Sequence, residues 1–168
     1  MISEKEILRI LSGISADAYN RLLIFFDLQN HCRMNPKTYW KGLADAYTCS
    51  DDTYRYKEII RKLFGKNLPR REELMTTSEK KYFNALPNSL TIYRGMTVEE
   101  SKSKDYGISW SLKESIAEFY CNSYMRNHST YKMPKTIVKL LINKKEVIAY
   151  FNNRKEEEII YLGNGTKR

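Results

Sequence analysis

The chain has 168 residues, 42% of them hydrophobic, with 13 Tyr, 6 Phe and 2 Trp, and a formal net charge of +9. Such a length holds one compact domain, or one domain with a helical extension, and such an aromatic content supports a core; disorder is excluded except at the tail, Gly163 to Arg168. The longest apolar run, Leu22 to Phe26, is far too short to span a bilayer, and the charged start Met1 to Arg9 does not read as a secretory signal.

The first half reads as helices. Ser3 with Glu6 makes a capping box, and Gly13 ends that helix. Ser15 caps a second helix with Tyr19, Leu22, Leu23 and Phe26 on one face. Asn35 followed by Pro36 opens a third, whose stripe is Trp40, Leu43, Ala44 and Tyr47. A fourth follows Asp52, with Tyr56, Ile59, Ile60, Leu63 and Phe64 as its stripe and Gly65 as its stop. Arg70 to Glu73 is a polar connector, and Thr76 with Glu79 caps a short helix that ends near Leu86 and Pro87.

The pattern changes after Pro87. Leu90 to Tyr93 alternates like a strand, and Ile108 to Trp110 is a short extended piece. Ser111 with Glu114 forms a capping box for a helix striped by Leu112, Ile116, Phe119, Tyr120 and Tyr124. Thr136 to Ile142 and Val147 to Phe151 read as strands separated by the turn Asn143 to Lys145. Asn152 to Lys155 is a loop, and Glu157 to Leu162 is a final strand. The expected class is α+β: an N-terminal helical region, 1–87, packed on a C-terminal mixed β-sheet core, 88–168, as one compact unit.

The cysteines are Cys32, Cys49 and Cys121, an odd count without a CxxC pair, so a disulfide framework is not expected and a reducing compartment is. These cysteines with His31 and His128 make no spaced metal motif, and no metal is expected. The basic balance attracts anions, whether nucleic acid, acidic proteins or a phosphorylated cofactor, and does not choose among them.

Three short pieces carry chemistry. Arg94 stands at a strand end and is followed by Gly95; a guanidinium there suits a diphosphate, and a glycine lets a ligand approach the backbone. A surface arginine beside a turn glycine is the plain alternative. Ser109 alternates with Ile108 and Trp110, so its hydroxyl faces away from them and suits a carboxylate, whereas Ser111 is explained as a helix cap. Glu156, Glu157 and Glu158 crowd negative charge at a strand start, and alternation puts Glu156 and Glu158 on one face. Like charges this close cost stability, and such strain is tolerated most often at functional sites, though a solvated run shielding a strand edge is the plain reading. Same-face neighbours on one strand lie about 7 Å apart, which does not let them flank a glycosidic bond easily. No Asp-rich loop accompanies them to complete a divalent-metal site.

The order Tyr93-Arg94-Gly95, then Ser109-Trp110-Ser111 leading into a helix with Ala117 and Phe119, then Glu156-Glu157-Glu158 before two aliphatics resembles the arginine–serine–glutamate class of mono-ADP-ribosyltransferases. The resemblance covers Leu90 to Leu162, and the chain is also similar to small transferase-like proteins of phage and bacterial genomes. It implies the sheet core of that family and NAD⁺ as substrate. Arg94 would bind a phosphate, the Gly95 backbone the nicotinamide amide, and Ser109 would position Glu158. Glu158 would bind the ribose 2′-hydroxyl and stabilise the cation that forms as nicotinamide leaves, and Glu156 would orient or deprotonate the acceptor. Tyr93, Phe119 and Tyr120 would help wall the nicotinamide side, and Phe151 to Lys155 would recognise the acceptor. The implied reaction is transfer of ADP-ribose to a protein side chain, arginine first, in the cytoplasm of a bacterium or a phage-infected host and without a membrane. Two departures stand out: Trp110 where threonine is common, and only fourteen residues between Arg94 and Ser109, leaving a short loop from Met96 to Gly107. NAD⁺ glycohydrolysis uses the same residues with water as acceptor. A non-catalytic nucleic-acid-binding module is the reading from another class, and a nucleic-acid-associated target protein joins the two.

Overall fold

Backbone donors at some of the helix starts are satisfied by short polar side chains. In the computed structural model, which describes residues 1–13, 17–18, 20–51, 53–122 and 132–163, Ser3 and Glu6 close the expected capping box at the head of α1, Glu4–Leu11. Asn35 likewise takes the Thr38 N–H and opens α3, Pro36–Thr48. Between them α2, Arg21–His31, follows a reciprocal pair in which Asp17 and Asn20 each accept the other's backbone N–H. Ser15, Tyr19, Asp52, Tyr124 and His128 lie outside the described residues. The helix α4, Lys57–Phe64, is preceded by a 3-10 turn, Thr53–Tyr56. The expected polar connector contains another such turn, Arg71–Leu74, which buries Leu74.

The chain divides into two compact units, Met1–Ser78 and Glu79–Arg168. The core of the first is apolar: Ile7, Leu11, Leu22, Phe25, Trp40, Leu43, Tyr47, Leu63 and Phe64 are buried. On α2 the buried pair is Leu22 and Phe25, not the expected Leu22, Leu23 and Phe26, with Leu23 exposed. The residues 22–26 are apolar on every side, so periodicity alone does not choose the face. Packing chooses it: a Cβ on Gly42 of α3 would come within 2.8 Å of Phe25 and 3.0 Å of Ile7, so α1 and α2 converge on that glycine.

The second unit begins within α5, Thr77–Ala85, and holds a five-stranded sheet. Its strands are β1, Ser89–Thr97; β2, Ser109–Ser111; β3, Lys135–Asn143; β4, Val147–Phe151; and β5, Glu158–Tyr161. Their order is β3-β1-β2-β5-β4, and all four pairings are antiparallel. The class is therefore α+β, with N-terminal helices followed by an antiparallel sheet and interspersed helices, and the expected mixed sheet is corrected. Alternating sequence does not report strand direction; the connections do. The expected Met96-to-Gly107 loop is also corrected, because β1 runs on to Thr97 and α6, Val98–Ser103, follows with Thr97 as its N-cap. After β2 comes α7, Glu114–Asn122. Among the described residues no helix is long and apolar enough to cross a membrane.

Candidate active site

The ladder between β1 and β3 is continuous over nine positions, from Ser89 opposite Asn143 to Thr97 opposite Lys135. The join between β1 and β2 is one register pair, Tyr93 opposite Ser111. Beyond it β1 and β2 part, while β2 stays paired with β5 along its length.

Cross-strand partners share a face. Tyr93 pairs with Ser111 and Ser111 with Glu158, so Tyr93, Gly95, Ser109, Ser111 and Glu158 belong to one face of the sheet. Glu158 is 4% exposed. The Ser109 hydroxyl donates to Glu158 Oε1 at 2.5 Å, so the pair that the resemblance links is joined across β2 and β5. A buried carboxylate needs such donors, since its desolvation otherwise favours the neutral form.

Glu156 and Glu157 precede β5, which corrects the expected strand start at Glu157. Their directions come from a turn: Lys155 and Glu157 have φ of 60° and 45°, a left-handed backbone that costs non-glycine residues about 1–3 kcal/mol. Glu156 and Glu158 nevertheless meet one group. Arg154 Nε lies 3.5 Å from Glu156 Oε2, and its Nη2 lies 3.9 Å from Glu158 Oε2. Tyr120 of α7 donates to Glu156 Oε1 at 2.9 Å. Glu157 turns instead to Lys113, 2.7 Å away, and to the Tyr82 hydroxyl. The hydrogen bond and charge of Glu157 hold the Lys113 ammonium above its ordinary range.

The strained loop has internal anchors. Asn152 accepts the Lys155 N–H on its carbonyl and the Glu157 N–H on its side chain. Its own N–H donates at 2.8 Å to Glu79 of α5, a carboxylate buried to 9% exposure. Tyr82, one turn along α5, stacks on Tyr150 of β4 at 4.8 Å. Burial, with the nearby Glu157, pushes the Tyr150 phenol well above its usual range.

Ser111 does not cap α7. That helix starts at Glu114, and the Ser111 hydroxyl accepts the Lys113 N–H while donating to the Glu156 carbonyl at 2.7 Å. It is buried and ties the end of β2 to the glutamate turn. The stripe expected on α7 is corrected as well: Ala117 is its buried residue, and Phe119 is 47% exposed beside Tyr120, ring centres 5.6 Å apart.

Arg94 starts from the other face. By alternation it shares the side of Ile92 and Met96, both buried. Its Nε donates to the buried Glu100 of α6 at 2.8 Å, and its Nη1 donates to the Ser109 carbonyl at 2.8 Å. The guanidinium thus bridges β1 and β2 where ladder hydrogen bonds have stopped. Glu100 also accepts the Gly107 N–H at 2.8 Å, and a Cβ on Gly107 would come 2.4 Å from the Arg94 guanidinium. Gly95 has a packing reason: a Cβ there would lie 2.3 Å from the Ala117 carbonyl oxygen, so the close approach it permits is that of α7. Tyr93 carries the Lys139 ammonium 5.6 Å from its ring centre.

The structure therefore gathers Ser109, Glu156 and Glu158, sets Tyr93 and Gly95 on their face, and places the Arg94 side chain against Glu100. Sequence reasoning missed Glu100, Arg154 and Glu79. Glu100 had a visible signal, since Thr97-x-x-Glu100 is a capping pattern; Glu79 was read only as a helix cap with Thr76, and Arg154 only as part of the Phe151-to-Lys155 loop. Among the described residues no group of three or more His, Cys, Asp or Glu is placed to hold a metal ion. No protein-family model, curated protein or solved structure matches this chain.

Proposed function

We propose that this chain is a mono-ADP-ribosyltransferase that transfers ADP-ribose from NAD⁺ to a protein side chain, arginine first, and releases nicotinamide. The observation that carries the reading is the Ser109–Glu158 hydrogen bond beside the parting of β1 and β2. A buried carboxylate held in one orientation suits a reaction that develops positive charge, because its dipoles and charge are set before the bond breaks.

In this reading Glu158 binds the ribose 2′-hydroxyl and stabilises the oxocarbenium-like cation as the bond to nicotinamide lengthens. Ser109 is a positioning residue for it. Glu156, outside the strand and reached by Tyr120, takes the proton of the incoming nucleophile. Tyr93, Phe119 and the main chain of Gly95 would receive the nicotinamide side on the face they share or border. Arg94 holds β2, and with it Ser109, next to β1; a contact to an NAD⁺ phosphate would be added to that task. The basic balance of the chain suits both the diphosphate and an acidic or nucleic-acid-associated target protein.

The test is incubation of the full chain with NAD⁺ labelled in its adenylate part and a cell lysate, beside Glu158→Gln. A discrete labelled band that requires Glu158 supports transfer. Nicotinamide release without any labelled protein or small acceptor turns the reading into NAD⁺ glycohydrolysis. No NAD⁺ consumption, with salt-sensitive nucleic-acid binding that Glu158→Gln leaves intact, overturns it in favour of a binding module.

A further inference from the structure

Tyr120 carries a further inference, which rests on the transferase reading. Its phenol donates to Glu156 Oε1 at 2.9 Å, across thirty-six residues of sequence. The docking of α7 sets that reach. Gly95 lets the Ala117 carbonyl approach β1, and Cys121 donates to the Thr136 carbonyl of β3 at 3.3 Å. Tyr120 lies about one helical turn beyond Ala117 and next to Cys121, so these two contacts fix where its side chain starts. Glu156 is also held through its main chain. Its carbonyl accepts the Ser111 hydroxyl at 2.7 Å, and it stands between the left-handed residues Lys155 and Glu157. One glutamate is thus tied by its main chain to β2 and by its side chain to α7, and that side chain remains 21% exposed. A carboxylate has about four lone-pair sites. A phenol on one of them restricts the rotation of the group and leaves others for an incoming N–H.

We propose that Tyr120 is a positioning residue for the acceptor side of the reaction: it orients Glu156 toward the guanidinium that receives ADP-ribose, and takes no part in holding NAD⁺. This differs from the nicotinamide wall that the resemblance implies for it, because a hydroxyl engaged with Glu156 serves the base rather than the ring. In the transfer step the bond between ribose C1′ and the nicotinamide nitrogen breaks, and nicotinamide leaves with the electron pair. The acceptor nitrogen gives its lone pair to C1′ and its proton to Glu156, while the Tyr120 proton stays on the phenol. Cleavage of the nicotinamide bond depends in this reading on Glu158 and Ser109, so loss of the phenol falls on transfer and spares nicotinamide release.

The experiment compares the full chain with Tyr120→Phe, using NAD⁺ labelled in its adenylate part, with and without agmatine, a small guanidinium compound. The substitution removes one hydroxyl and keeps the ring. The kcat/KM for agmatine is expected to fall about tenfold or more, the worth of a hydrogen bond to a charged group. Nicotinamide release without agmatine and the KM for NAD⁺ are expected to stay within about twofold of the wild type. Glu156→Ala is expected to lose transfer at least as far, and adding Tyr120→Phe to it to cost nothing further, because the two residues act through one contact. Unchanged agmatine transfer, a loss shared equally by transfer and nicotinamide release, a raised KM for NAD⁺, or a further loss on top of Glu156→Ala overturns this inference alone. A wild type that releases nicotinamide without labelling agmatine, or releases none, overturns the arginine-transfer reading and this inference with it.

Discussion

The two units bury different chemistry. Among the described residues of Met1–Ser78 the buried polar ones are Thr38 and Ser50, both hydroxyls, amid an aliphatic and aromatic core. In Glu79–Arg168 they include the carboxylates Glu79, Glu100 and Glu158 together with Ser111. A hydroxyl at the end of a helix can be satisfied locally, as Ser50 is by the Ala46 carbonyl one helical turn back. A carboxylate needs partners brought from elsewhere in the chain: Arg94 for Glu100, Ser109 for Glu158, the Asn152 backbone for Glu79. Buried charge is costly unless it is paired.

Variants sharpen this contrast. The largest effect is expected for Arg94→Ala, which leaves the buried Glu100 carboxylate without its guanidinium, held only by the Gly107 N–H among the bonds described above, and costs about 3–5 kcal/mol, read from a denaturant melt. The double variant Arg94→Met with Glu100→Leu should recover much of that loss, because two apolar side chains need no partner. In the first unit Leu43→Ala is expected to cost about 2–5 kcal/mol through a cavity, and only refilling the volume rescues it. If the double variant were no more stable than Arg94→Ala, the guanidinium would matter for its bridge to Ser109 rather than for its pairing with Glu100.

Next comes Gly95→Ala, whose added carbon meets the Ala117 carbonyl. Overpacking of this kind costs about 1–3 kcal/mol, and a melt unchanged from the wild type would show that α7 moves aside freely. Asn35→Ala removes the cap of α3 and should cost about 1 kcal/mol. The smallest effect is chemical. Cys121 donates to the Thr136 carbonyl, and burial pushes its thiol above the ordinary range, so less of it is thiolate at a given pH. Cys49 is exposed. Iodoacetamide at mildly alkaline pH should alkylate Cys49 before Cys121, and the reverse order by mass spectrometry would contradict the packing of α7 on β1.

Much of the local structure was legible in the sequence. The capping box of Ser3 and Glu6, the Asn35–Pro36 start, the strand Val147–Phe151 and the Leu90-to-Tyr93 part of β1 each announce themselves through residues a few positions apart, while the run of β1 on to Thr97 does not. The Ser109-to-Glu158 link was legible through the family resemblance, not through spacing. What failed had a common cause. Ser111 followed by Glu114 has the letters of a capping box, yet the hydroxyl is drawn to the Glu156 carbonyl, forty-five residues away. Phe119 has the spacing of a buried stripe, yet small Ala117 meets the sheet because Gly95 lets α7 come close.

The sequence by itself determined the class of the fold, the helical start and the presence of a glutamate run after a strand, because each depends on neighbours within a turn or a pleat. Only the tertiary structure decided that all strands are antiparallel, that Arg94 turns to Glu100, and that Arg154 lies against Glu156 and Glu158. Those outcomes depend on which buried charges find partners across the sheet and around the turn, and that competition is settled by distance in space rather than distance along the chain.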